Sequence, residues 1–111
     1  MSEQKVEDLV TDWFSGNAET LMRDICDEEP ETAWQTILEI LKKGVTDDQK
    51  ALLAAGPLEN LLVWHGKAFI DRVEQQAKIN DRFNDLLGGV WRREMPQEIW
   101  ERIEKARKQV W

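Results

Sequence analysis

Residues 30–44 read PETAWQTILEILKKG, and this stretch has start, end and periodicity signals of an amphipathic helix. Pro30 suits the first turn, where a missing backbone N–H costs nothing. Lys42 and Lys43 match the negative end of the helix dipole, and Gly44 suits the position just beyond the last turn. Apolar side chains recur at three- and four-residue intervals and form one face: Ala33, Trp34, Ile37, Leu38 and Leu41.

The same periodicity continues on both sides of this stretch, with turn residues between the segments. The first segment has one apolar face, which comprises Val6, Leu9, Val10, Trp13 and Phe14. Alternating apolar and polar runs that would indicate strands do not occur in the sequence. We predict an all-α fold, an irregular bundle of six or seven short helices, with stacked helical hairpins as the alternative architecture.

Several residues indicate where individual helices begin and end. Thr46 and Gln49 have the spacing of a capping box at a helix start, and Pro96 suits the start of the last helix. We expect Gly56–Pro57 to end one helix and begin the next, and Gly66 to end or bend that second helix.

The length of 111 residues allows one domain. We predict a single domain over residues 1–111, in which residues 1–26 form a helical extension to a core over residues 27–111. Apolar residues make up 41% of the chain, which is near the globular norm and excludes a disordered protein. No apolar run approaches the ~18 residues of a membrane span, so we expect a cytoplasmic protein.

Acidic residues are concentrated in the first half of the chain. The net charge is −7, and residues 1–60 carry 14 acidic and 5 basic side chains. The densest acidic run contains Asp27, Glu28 and Glu29. Because a negative field attracts basic proteins and repels nucleic acid, we expect a basic protein partner and no direct contact with nucleic acid or a membrane. An acidic surface that only maintains solubility is the alternative.

The sequence has no recognisable catalytic or metal-binding pattern. Its one cysteine, Cys26, lies on an apolar stripe and is interpreted as a core residue that forms no disulfide. The one histidine, His65, is interpreted as a residue at a helix end. We therefore predict no enzymatic activity, no metal and no cofactor. The alternative is a small-ligand or catalytic site in which His65 acts with Glu59 and Asp71.

Six tryptophans are an unusually large number for a chain of 111 residues. Trp100 and Trp111 are eleven residues apart, which would bring them within about 20° of each other on one helix. With Arg107 between them they would have the composition of a binding hot spot, or of a homodimer interface through the last helix. The alternative is that the core covers Trp100. We interpret the other four as core residues: Trp13, Trp34, Trp64 and Trp91.

Several motifs in the chain resemble a family of small bacterial proteins classed as a domain of unknown function. The most specific stretch is LAAGPLE at residues 53–59, and a second signature is GGVW at residues 88–91. The resemblance covers about residues 27–103. It implies a helical bacterial domain, and it implies no activity, cofactor or catalytic residue.

Size, charge asymmetry and surplus tryptophans favour a non-enzymatic, acidic protein-binding module. In this interpretation the chain is an inhibitor or immunity-type protein that neutralises a basic bacterial partner. The acidic run 27–29 and the tryptophans of the last helix would form the contact. A phage-encoded inhibitor of host defence is a further alternative, and the enzyme or ligand-binding interpretation would use His65, Glu59 and Asp71.

Overall fold

The computed structural model describes residues 3–17 and 24–111, and these form helices without any strand. Six of the helices have seven residues or more, which confirms the predicted all-α bundle. In chain order they are α1 (Glu3–Phe14), α2 (Cys26–Glu28), α3 (Pro30–Lys43), α4 (Asp47–Leu53), α5 (Glu59–Ile79), α6 (Asp81–Leu87) and α7 (Gln97–Ala106). No helix in this part of the chain is both long enough and apolar enough to cross a membrane.

Helix α3 begins and ends where its sequence predicts. Pro30 occupies its first position, and Gly44 ends it with a φ of +96°, in the left-handed region that favours glycine. The capping box at the start of α4 is also present. The Thr46 hydroxyl accepts the Gln49 backbone N–H at 3.1 Å, and the Gln49 side chain accepts the Thr46 N–H at 2.9 Å.

The break predicted at Gly56–Pro57 is present as a change of helix type, because the α-helical pattern stops at Leu53 and resumes at Glu59. Residues Ala54–Leu58 form a π-helical turn that joins α4 directly to α5. A π turn is wider than an α turn, so it accommodates a proline whose ring would clash with the carbonyl four residues earlier. The buried Pro57 carbonyl accepts the Cys26 thiol at 3.3 Å, which connects this turn to α2.

Helix α5 is kinked next to Gly66, where the sequence predicts an end or a bend. The backbone is distorted one residue earlier, at His65, where φ is −133° and ψ is 25°. A Cβ at Gly66 would lie 3.1 Å from the Ile99 side chain of α7. The glycine therefore permits close approach of α7 to α5, and the kink belongs to the histidine.

One hydrophobic core includes side chains from every helix of the described chain. Its aromatic centre is Trp34 of α3, which contacts Phe69 of α5 at 5.8 Å and Phe83 of α6 at 5.5 Å between ring centroids. Helix α1 packs against α3 and contributes Leu9, Val10 and Trp13 to the same core.

Candidate functional site

Two tryptophans that the sequence pattern assigned to the core lie at the surface. Trp91 is 71% exposed and Trp64 is 45% exposed, so the interpretation of these two as packing residues was wrong. The other two core assignments are confirmed, since Trp13 and Trp34 are both buried. The signal that could have identified Trp91 is its polar flank, because Arg92 and the residues after it leave no apolar stripe.

A buried carboxylate holds the backbone of Trp91. Glu59 is the first residue of α5 and is only 3% exposed. Its Oε2 accepts the Trp91 backbone N–H at 3.0 Å, and its Oε1 lies 3.7 Å from Nε of Arg93. Burial raises the pKa of Glu59, and the Trp91 N–H and the Arg93 charge oppose that rise. Glu59 therefore positions the segment that carries Trp91.

Arg93 reinforces the same attachment through its side chain and adopts an unfavourable backbone conformation there. Its φ of +49° is the one positive value among the non-glycine residues that the structure describes, and such a conformation costs roughly 1 kcal/mol. Its guanidinium donates to the Asn60 side chain at 2.6 Å. Asn60 and Trp64 are four residues apart on α5 and hence share a face. We use the name tryptophan surface for Asn60, Trp64, Trp91 and Arg93.

The sequence-predicted acidic run lies next to this surface. His65, which follows Trp64, places Nε2 at 2.7 Å from the Asp27 carbonyl oxygen and 3.7 Å from the Asp27 carboxylate. Since a carbonyl oxygen only accepts, Nε2 carries the hydrogen and donates it. Asp27 and Glu28 are exposed, whereas Glu29 pairs with Lys5 of α1 at 2.5 Å.

The alternative polar site of His65, Glu59 and Asp71 is not brought together. Asp71 accepts from Arg102 of α7 at 2.6 Å, and Glu59 and His65 have the separate partners described above. The three residues follow one another at six-residue intervals on α5, which corresponds to about 9 Å per interval along the axis. Within residues 3–17 and 24–111, no group of three or more His, Cys, Asp or Glu side chains could hold a metal ion.

The buried thiol matches its sequence interpretation. Cys26 is fully buried and forms no disulfide, and burial raises its pKa to about 12. A thiol in this state is neutral at physiological pH and is a poor nucleophile. Its role as a core residue is therefore confirmed.

The predicted face on the last helix has a different geometry from the expected one. Helix α7 ends at Ala106, so the calculation that placed Trp111 beside Trp100 on one helix was wrong. Arg107 does stack on the Trp100 ring, at 4.8 Å from the centroid. The same guanidinium donates to the carbonyls of Leu87 and Val90, at 3.3 and 3.0 Å, and thereby attaches the end of α7 to the segment after α6.

Trp111 packs back onto the end of α6. Its backbone N–H donates to Gly88 at 3.0 Å, and its indole N–H donates to the Asp85 carbonyl at 2.6 Å. A Cβ at Gly89 would lie only 2.4 Å from the indole ring, so the ring lies directly on that glycine. Lys50 covers the ring at 5.2 Å from its centroid. Trp111 is nevertheless 48% exposed, and a partner-binding role for it stays a prediction.

The chain matches a known family over most of its length. The model of a family described as "Family of unknown function (DUF6869)" matches residues 3–110. This confirms the resemblance to a domain of unknown function and extends it beyond residues 27–103, so that it includes α1. Neither the curated proteins nor the solved structures contain a match to the chain.

Proposed function

This chain belongs to DUF6869, a family whose description assigns no activity, and we propose that it is a non-enzymatic protein-binding module. The observation that supports the proposal is the exposure of Trp91 and Trp64, at 71% and 45%. Exposed large aromatic side chains are typical of interaction sites, and tryptophan is enriched among the residues that dominate binding energy.

The support beneath these rings is consistent with a binding role. Glu59 and Asn60 attach the Trp91 segment to α5 through a buried carboxylate and an amide. A segment whose backbone is held in place before binding loses less conformational entropy when the partner docks. The strained backbone of Arg93 belongs to the same attachment, and strained residues are concentrated at functional sites.

We propose that the partner is a basic protein and that this chain neutralises it, as an inhibitor or immunity-type protein does. The net charge of −7 would accelerate encounter with a basic protein, and Asp27 and Glu28 provide exposed negative charge beside the tryptophan surface. The tryptophans would then account for most of the affinity, because buried aromatic anchors contribute more than rim charges.

The test is affinity capture from a lysate of the source cells at low and at high salt, read by mass spectrometry. The baits are the wild-type chain, Trp91→Ala, Trp64→Ala and Ile79→Ala. Ile79 is the matched control because it is 68% exposed and lies at the opposite end of α5.

We expect the wild type and Ile79→Ala to capture the same basic protein at low salt. Each tryptophan variant should reduce the affinity by about 30-fold, as truncation of a hot-spot residue does. High salt should weaken capture by the wild type. The proposal is overturned if both tryptophan variants capture the partner as well as Ile79→Ala does, or if the wild type captures no basic protein.

A further inference from the structure

We propose that the groove between α1 and α3 is a docking site for a basic helical segment of a partner protein. The groove has a volume of about 690 Å³. Its valines lie on α1, and carboxylates from both helices surround them: the lining includes Val6, Val10, Glu3, Glu7 and Glu39. The residues that line the groove do not include any residue of the tryptophan surface, so the inference does not depend on the function proposed above.

The shape and the apolar floor of the groove suit a helix. Val6 is half-buried and provides the accessible apolar side chain of the groove, whereas Val10 is only 3% exposed; an amphipathic helix would lay its own apolar face over Val6. Helix α1 has 12 residues and is therefore about 18 Å long. A partner helix of three turns would match that length.

The charges of the groove determine which helix would bind. Glu3, Glu7 and Glu39 line it, with Lys43 as the basic residue of the lining. None of these three carboxylates belongs to an ion pair in the described part of the chain. Lys5, the basic residue of α1, is engaged by Glu29 of the α2–α3 connection.

A helix with lysine or arginine on both sides of a small apolar stripe would complement this arrangement. Its cations would pair with Glu3, Glu7 and Glu39, which form no ion pair within the described residues, and its apolar side chains would cover Val6. An acidic helix would add like charges to the same groove and would be repelled. The geometry and the charge thus select one class of occupant.

The probe is a fluorescein-labelled synthetic peptide of three helical turns, with a leucine and alanine stripe between two rows of lysine. A second peptide has glutamate at every lysine position, and a third keeps the lysines and has serine at every apolar position. Binding to the full chain is measured by fluorescence anisotropy.

Two double variants of equal charge test whether the groove is the site. Glu7→Lys/Glu39→Lys changes the groove, whereas Glu94→Lys/Glu104→Lys changes exposed residues elsewhere and alters the net charge of the chain by the same amount. Glu7→Lys and Glu39→Lys are also measured singly, and circular dichroism verifies that each variant is folded.

We expect the lysine–leucine peptide to bind the wild type and the control variant equally. Glu7→Lys/Glu39→Lys should weaken this binding at least about tenfold, since each reversal removes an attraction and adds a repulsion. The glutamate peptide should not bind, the serine peptide should bind at least about tenfold more weakly, and Trp64→Ala and Trp91→Ala should have no effect. Equal losses in both double variants, or equal binding of the serine peptide, would overturn the proposal.

Discussion

The contact between Trp111 and Gly89 provides a direct test of the packing at the end of α6. In Gly89→Ala, the new Cβ would lie 2.4 Å from the indole ring, well inside van der Waals contact. The φ of Gly89 is not positive, so alanine is compatible with the backbone itself. The ring must therefore move away, and the free energy of unfolding should fall by the amount that its contact contributes.

The magnitude follows from what the ring buries. Trp111 is 48% exposed, so its side chain has roughly 100 Å² removed from water, which corresponds to about 2.5 kcal/mol. The indole hydrogen bond to Asp85 contributes about 1 kcal/mol more, and the entropy of ordering the ring opposes both by about 1.5 kcal/mol. We expect Gly89→Ala to destabilise the chain by about 2 kcal/mol.

A double-mutant cycle separates this clash from other effects of the substitution. Urea unfolding of the wild type, Gly89→Ala, Trp111→Ala and the double variant is followed by far-ultraviolet circular dichroism, which reports the helix content of the chain and not its tryptophan emission. Each single variant should lose about 2 kcal/mol, and the double variant should lose no more than Trp111→Ala alone. Val110→Ala, at a neighbouring residue that is 68% exposed, should change little. If Gly89→Ala costs as much in the Trp111→Ala background as in the wild type, the reasoning is refuted.

Three further predictions concern buried polar groups. Burial raises the pKa of Glu59 in the folded chain, so the free energy of unfolding should fall as the pH rises from 4.5, the unfolded pKa of this carboxyl, through the raised folded pKa. Glu59→Gln should remove that decline in urea unfolding at several pH values. An unchanged pH profile in this variant would contradict the prediction. Asn84→Ala should cost about 2–3 kcal/mol in the same assay, since buried Asn84 bonds to Ala77, Ala106 and Lys108; a loss below about 0.5 kcal/mol would be inconsistent with those bonds. Cys26, with a pKa of about 12, should react with iodoacetamide at pH 8 only after denaturation, and mass spectrometry of the folded chain should show no adduct.

Helix boundaries that depend on neighbouring residues could be predicted from the sequence. Pro30, Gly44 and the Thr46–Gln49 box act through bonds within one turn, so their residue types determine the local structure. The end of α7 at Ala106 has no such local signal, because Arg107 and Lys108 are good helix formers. The chain leaves the helix there as Arg107 and Trp111 bond to carbonyls at the end of α6.

The burial of Glu59 at the candidate site likewise has no signal among its neighbours in the sequence. An acidic residue at a helix start is fully explained by the helix dipole, so its type gives no reason to expect burial. Burial arises because the segment carrying Trp91, which is 32 residues away in the chain, folds over it and donates an N–H to it. Only the tertiary structure could identify that contact.

The sequence by itself determined that this chain is helical, where α3, α4 and α7 begin, and that its negative charge lies mainly in residues 1–60. The tertiary structure decided which tryptophans are buried. Periodicity reports the direction of a side chain relative to its own helix axis, whereas burial depends on whether another element covers that direction. Trp34 is covered by Phe69 and Phe83, and Trp64 and Trp91 remain exposed at the surface.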